Sequence, residues 1–221
     1  MIAVYNVSYS LVSGAGTVNV LEGVSWQVGQ GQSVAVVGPS GSGKTSLLML
    51  LAGLERPTSG RIVVANHDLL ALDEDELARF RQRHVGIVFQ NFLLLPALTA
   101  EENVALPMEL AGIADARERA KQALVQVGLG HRLQHLPSQL SGGEQQRVAV
   151  ARAFASAPDL ILADEPTGNL DSSTGQKVMD LLFDLQATQG ATLILVTHDL
   201  QLARRCSRQM RLRGGTMEEG L

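Results

Sequence analysis

The spacing of apolar residues changes several times along the chain, and each change marks an element. Residues 1–28 alternate apolar and polar positions and predict short strands, broken by the turn Ser13-Gly14-Ala15-Gly16. Ser33 to Val37 is a compact apolar run that leads into a glycine loop. A helical pattern follows from about Lys44 to Leu54 and ends at Pro57 to Gly60. Arg61 to Ala65 predicts another strand, and Val85 to Phe89 a buried one. Between them, Asp73-x-x-Glu76 has the pattern of a capping box opening a helix to about Arg83.

Residues 91–157 change character and read as mostly helical. Asp115-x-x-Glu118 predicts a capped helix closing near Gly128, and Ser141-x-x-Glu144 another that runs to about Ala157, before Pro158. Strands return at Leu160 to Ala163 and Ala191 to Val196, with a helix from Ser172 to Gln189 between them. Ser207 to Arg213 alternates and then turns at Gly214-Gly215. This order predicts a parallel α/β core carrying an all-helical arm.

Composition narrows the picture. The 221 residues are 45% hydrophobic but only 4% aromatic, so aliphatic side chains must fill the core of one domain, or one domain with a subdomain. A net charge of −4 with no long basic run gives no bulk affinity for nucleic acid or anionic lipid. Cys206 is the only cysteine, which excludes an intrachain disulfide, and it reads as a small apolar residue. Met1-Ile2-Ala3-Val4-Tyr5 shows no basic stretch ahead of an apolar run. No apolar run approaches the roughly 20 residues of a membrane helix. The expectation is a soluble chain whose membrane role, if any, needs a partner.

The chemistry starts at Gly38-Pro39-Ser40-Gly41-Ser42-Gly43-Lys44-Thr45, which fits G-x-x-x-x-G-K-[ST]. Glycines let the backbone turn its N–H groups onto a phosphate, and the following helix adds the positive end of its dipole. Lys44 is expected to reach the β- and γ-phosphates, Thr45 to ligate Mg²⁺, and Ser46 to bond the α-phosphate. A glycine turn in an unrelated α/β fold is the competing reading of the loop by itself. Leu160-Ile161-Leu162-Ala163-Asp164-Glu165 then sets two acids at the end of a buried strand. Asp164 is expected to hold Mg²⁺, directly or through water, and Glu165 to polarise an attacking water. Acids at a strand end can also merely cap a helix; the phosphate loop in the same chain favours the catalytic reading.

Leu140-Ser141-Gly142-Gly143-Glu144-Gln145-Gln146-Arg147 resembles the signature sequence of the ABC ATPases. Ser141 caps a helix whose first N–H groups, flanked by two glycines, form a second anion site. The resemblance spans the chain and implies a P-loop NTPase fold. This has a RecA-like core (about 1–90 and 158–221), an N-terminal antiparallel β subdomain and an all-helical subdomain (about 91–157), all within one ABC ATPase domain. It implies ATP and Mg²⁺ as cofactors, and a head-to-tail dimer in which Ser141, Gly142, Gly143 and Glu144 meet the nucleotide held by the second copy. Glu144 stands where the family more often has Gln. Gln90 matches the glutamine that contacts Mg²⁺ and senses the transport domain. Gly168-Asn169-Leu170-Asp171 matches the loop crossing the dimer interface, and His198 in Thr197-His198-Asp199 the histidine that touches the γ-phosphate. Leu11 falls at a position where many relatives stack an aromatic ring on adenine, which points to a base held on aliphatics such as Leu11, Val18 and Val20.

Two further stretches, Ala163 to Asp171 and Leu98 to Val104, resemble the branch containing MacB, LolD and FtsE, and His84 to Gln90, Leu136 to Arg147 and Val196 to Ala203 most resemble the YbbA-type ATPases, LolD sharing the last of these. That resemblance implies a permease partner of the FtsX/MacB type (YbbP-like), a peripheral position on the inner face of the bacterial cytoplasmic membrane, and lipid-linked or hydrophobic cargo. A periplasmic partner follows from family context alone. The apolar stretch Phe92 to Leu98 is the expected seat of the permease's cytoplasmic helix. A non-transport ABC ATPase working on nucleic acid or the ribosome is the alternative; such relatives usually carry long insertions or two ATPase units, which this chain lacks. An ATP sensor without catalysis is disfavoured by Lys44, Asp164, Glu165 and His198.

Overall fold

The computed structural model describes residues 1–13 and 16–220, which divide into two compact units. The first comprises Met1–Arg81 and Thr192–Leu221. Its outer layer is an antiparallel sheet in the order β2-β1-β4-β5, built from β1 (Ile2–Ser13), β2 (Gly16–Val28), β4 (Ser59–Val64) and β5 (His67–Asp68). The expected short strands are therefore one long hairpin. Gly14 and Ala15 of the expected turn lie outside the described residues. Ile2, Val4, Val7, Leu21, Val24, Trp26 and Ile62 bury the inner face of this sheet. Trp26 Nε1 is buried without a hydrogen-bond partner.

β3 (Ser33–Val37) lies in the second sheet of this unit, between β8 (Thr192–Val196) and β9 (Arg208–Arg213) and parallel to both. Strands buried on both faces need continuous apolar runs rather than alternation, and Val34 to Val36 and Leu193 to Val196 are all buried. β10 (Thr216–Glu219) pairs back on β9 after the Gly214-Gly215 turn. α1 (Lys44–Leu51) follows β3 directly and buries Leu47, Leu48, Leu50 and Leu51. α2 (Glu74–His84) opens as expected: Asp73 Oδ1 accepts from the Glu76 N–H at 2.8 Å, and Glu76 Oε2 from the Asp73 N–H at 2.9 Å. The four-residue α7 (Leu200–Ala203) closes the set.

The second unit is Gln82–Ala191. β6 (Val85–Val88) and β7 (Leu160–Asp164) run parallel in it. Gly86 permits their packing on a helix, since a Cβ there would overlap the Ala153 carbonyl. His84 Nδ1 and Asp159 Oδ2 lie 2.6 Å apart at the start of the pair. Four helices complete the unit: α3 (Ala100–Leu110), α4 (Ala116–Gln126), α5 (Gly142–Phe154), which packs on β6, and α6 (Ser172–Gln189). A short 3₁₀ turn, Pro137–Gln139, precedes α5. Ala100, Val104, Met108, Ala120, Leu124, Leu129 and Val148 form an aliphatic core among α3, α4 and α5.

One expected cap is not made. Asp115 precedes α4, but its backbone is left-handed (φ 58°, ψ 30°) and its carboxylate makes no cap hydrogen bond. An N-cap side chain reaches the first turn only from extended backbone. Thr99, with φ −64° and ψ 169°, has that geometry and forms a complete capping box with Glu102. α5 also ends at Phe154, three residues before the expected Ala157.

Candidate functional site

The first unit holds the phosphate loop and His198, the histidine expected to touch the γ-phosphate. Val36 of β3 pairs with Val196 of β8, so Gly38 and His198 leave the sheet at one edge, two residues further on. Gly38 has no room for a side chain: a Cβ would overlap the Leu212 carbonyl oxygen and stand 2.7 Å from Ser42 Oγ. Gly41 and Gly43 adopt φ of +75° and +97°, which L side chains rarely tolerate. α1 then begins with no side-chain cap and no acid in its first turn. Its positive dipole end therefore meets no carboxylate of its own first turn, which suits an anion.

The side chains of the loop suit the same ligand. Lys44 is buried, and its Nζ donates to the Gly38 and Pro39 carbonyls at 2.9 Å each. The ammonium is thus held against the loop backbone. Ser42 Oγ is buried and unpartnered, a deficit of roughly 1–3 kcal/mol that a phosphate oxygen would relieve. Pro39, Ser40 and Thr45 are exposed, and Ser46 is half-buried. His198 is exposed between anchored neighbours. The Thr197 N–H donates to the Val36 carbonyl at 3.3 Å, and Thr197 Oγ1 accepts from the Asp199 N–H at 3.0 Å.

At the expected base end, Leu11 and Val18 face each other across the β1–β2 hairpin, 48% and 57% exposed. Val20 adjoins the loop: its carbonyl oxygen would stand 2.9 Å from a Cβ on Gly43. Tyr9 is buried, and burial together with a hydrogen bond to Glu55 raises its phenol pKa. Its ring is not offered as a stacking face.

The second unit holds the remaining expected residues. Val88 of β6 pairs with Ala163 of β7, so Gln90 and Glu165 follow the two strands at a common edge. Asp164 and Glu165 are half-buried. Glu165 has φ 46°, a left-handed backbone that costs a non-glycine residue on the order of 1–3 kcal/mol. This breaks the strand's alternation and turns Glu165 away from the direction β7 would impose. Gln90 Nε2 donates to Asn169 Oδ1 at 3.4 Å, and Asn169 Nδ2 returns bonds to the Gln90 carbonyl at 3.1 Å and to Asn91 Oδ1 at 2.8 Å. The two loops are thereby tied together. Thr45, Gln90 and Asp164 bear hydroxyl, amide and carboxylate oxygens, hard donors whose chemistry fits Mg²⁺.

Ser141 caps α5 in a full capping box. Its Oγ accepts from the Glu144 N–H at 3.3 Å, and Glu144 Oε2 accepts from the Ser141 N–H at 2.8 Å. The bond from the Ser141 backbone, with help from Ser141 Oγ and Arg132, holds the Glu144 carboxyl below its usual pKa. Gly143 must be glycine because a Cβ would overlap Thr174 Cγ2. Asp171 caps α6, accepting from the Ser173 N–H at 3.1 Å, Ser173 Oγ at 2.8 Å and the Thr174 N–H at 3.0 Å.

Three residues that organise this unit carry no local sequence signal. Asn103 is buried; Nδ2 donates to the carbonyls of Leu95, Leu98 and Thr99 at 3.1, 2.9 and 3.0 Å, and Oδ1 accepts from the Leu95 N–H at 2.7 Å. Arg152, its pKa lowered by burial, donates to the carbonyls of Phe92 and Leu93 at 2.8 and 2.7 Å. Both of those residues have positive φ. Arg132 pairs with Glu144. In the apolar stretch, Leu93 and Leu95 are exposed, while Leu94 packs on the helical core and Leu98 is half-buried.

Comparison with known proteins meets this geometry. Residues 21–168 match the family model described as ABC transporter. The chain is 52% identical to the uncharacterized ABC transporter ATP-binding protein YbbA of Escherichia coli K12, over 99% of this chain and 97% of that protein. It is 48% identical to the lipoprotein-releasing system ATP-binding protein LolD of Legionella pneumophila strain Lens, over 92% and 91% of the two chains. Among solved structures, the dimeric post-hydrolysis state of the ATP-binding cassette MJ0796 bound to ADP and Pi superposes over the full length of both chains, with a TM-score of 0.91 at 40% identity. No helix among the described residues is long and apolar enough to cross a membrane. The chain belongs to the ABC transporter family, as one of its ATP-binding, ATP-hydrolysing subunits.

Proposed function

We propose that this subunit drives an FtsX/MacB-type permease, YbbP-like in kind, that moves or extracts lipid-linked or hydrophobic cargo at the bacterial cytoplasmic membrane. The observation that carries the reading is the co-occurrence of an open, uncapped phosphate loop with an acid pair and a capped signature helix in a chain 52% identical to YbbA. LolD relatives, named for lipoprotein release, support the class of cargo. Leu93 and Leu95, exposed on a loop pinned by Asn103 and Arg152, are the natural seat for the permease helix.

In this reading the amides of Gly38 to Thr45 and the Lys44 ammonium hold the β- and γ-phosphates, and Ser46 the α-phosphate. Leu11, Val18 and Val20 support the base. Thr45, Asp164 and Gln90 hold Mg²⁺, which neutralises charge on the phosphate oxygens when bound. Glu165 orients and polarises the attacking water, and His198 steadies the γ-phosphate. Ser141 to Glu144 serve the nucleotide of a second copy, with Asp171 at the loop that crosses between copies, so MgATP also joins two subunits. Residues 91–157 act as the helical subdomain of one ABC ATPase domain.

Glu165→Gln tests this. The variant should bind MgATP, elute as a dimer with it, co-purify with a multi-spanning membrane protein, and turn over at least ~10²-fold more slowly. Near-normal turnover would remove Glu165 from its role, and a monomer under the same conditions would remove the sandwich.

A further inference from the structure

Glu144 raises a problem of charge. It is the third residue of the helix whose N-terminus, on the reading above, faces a nucleotide phosphate. A free carboxylate there opposes the anion that the helix end attracts. Both oxygens are committed elsewhere: Oε2 accepts from the Ser141 N–H at 2.8 Å, and Oε1 from Arg132 Nε at 3.1 Å. Glu144 is also the more enclosed partner, its side chain 15% exposed against 36% for Arg132.

Arg132 is itself held in place. Its Nη1 lies 3.0 Å from His135 Nε2. The backbone on both sides is bonded to the first turn of α3: the Ala100 N–H donates to the His135 carbonyl at 2.9 Å, and the Glu101 N–H to the Leu133 carbonyl at 3.0 Å. Gln134 Nε2 adds a bond to Glu101 Oε2 at 2.9 Å. A continuous hydrogen-bonded run thus leads from α3, which follows the Leu93–Leu98 loop, through Arg132 and Glu144 to Ser141.

We propose that Arg132 is a positioning residue for the signature serine. It draws the Glu144 carboxylate back onto the Ser141 amide and neutralises it. The Ser141 hydroxyl, whose oxygen already accepts from the Glu144 N–H, keeps its proton to donate to phosphate, and the Gly142 and Gly143 amides remain clear of a competing anion. The proposal rests on the signature's role in the function proposed above. It explains how this chain carries a carboxylate in the first turn of the signature helix: the carboxylate comes with its own counter-ion.

The test is a double-mutant cycle on the full chain, with kcat and KM for MgATP measured in each variant. Arg132→Ala should lower kcat about tenfold in the parent background and less than about twofold in the Glu144→Gln background, where no charge needs neutralising. Equal costs in the two backgrounds, or no cost in the parent, would overturn the proposal. Arg132→Met keeps the aliphatic stem and carries the same cycle if the alanine variant melts before the assay. Ser141→Arg separates the two levels of the argument. If it leaves turnover intact, the signature reading itself falls; if it abolishes turnover while the cycle is additive, only the role of Arg132 falls.

Discussion

Leu11 sets how the base is read. An aromatic ring under a base contributes about 1–3 kcal/mol, and a leucine gives no such stacking. With Tyr9 buried and Leu11 and Val18 presenting branched aliphatics, affinity should come chiefly from the triphosphate. ATP and GTP are then expected to bind within a few-fold of each other in a competition assay, and Leu11→Tyr to tighten ATP by about tenfold. A strong ATP preference in the parent chain that Tyr9→Ala abolishes would refute this account. Gly38, Gly43 and Gly143 were legible from their motifs, though the reason for each differs. Gly38 yields to a strand carbonyl and Gly143 to a threonine methyl, whereas Gly43 has a positive φ as well as a close neighbour.

At the scale of elements, three of the four helices α3 to α6 begin at side-chain caps, and each of those caps includes a carboxylate: Glu102 with Thr99, Glu144 with Ser141, and Asp171 itself. The bonds from Thr174, followed by those from Ser173, depress the Asp171 carboxyl far below its ordinary pKa; Glu102 and Glu144 shift the same way. A depressed folded pKa stabilises the fold above the unfolded value, about 3.9 for Asp, and that stabilisation is lost as pH falls through the folded value. The melting temperature should therefore fall on going from about pH 5 to about pH 2.5, and Asp171→Asn should lose less over that interval than the parent. An identical acid limb in the variant would show that the cap contributes nothing titratable. Two of the expected capping boxes, at Asp73 and Ser141, formed, the second on an extended Ser141 backbone; the third failed because Asp115 turned left-handed. Sequence spacing announces which residue can cap, but the backbone angle at that residue depends on how the preceding loop arrives. Arg132, Asn103 and Arg152 were illegible for a related reason. Each bonds to atoms, mostly carbonyls, whose positions exist only once a loop has taken its path.

Over the whole molecule, the ordered motifs were readable because phosphate chemistry ties residue type to short spacing, as in Gly38 to Thr45. The compact units were not, because they follow contacts between segments far apart in sequence. The helical arm read from residues 91–157 lies inside a larger unit that also takes in β6, β7 and α6. The first unit, in turn, is assembled from the two ends of the chain, so it closes only after the last strand-forming residues are available.

Trp26, buried under the antiparallel sheet, gives this partition an optical consequence. It is the chain's one tryptophan, and the two tyrosines, Tyr5 and Tyr9, lie in the same hairpin. Every strong near-ultraviolet chromophore thus belongs to the first unit, while residues 82–191 are dark to intrinsic fluorescence yet supply four of the helices. Denaturant titrations followed by fluorescence and by far-ultraviolet dichroism therefore watch different parts of the protein. Coincident curves are expected if the units unfold together, and a dichroism transition shifted away from the fluorescence one would reveal that they melt separately.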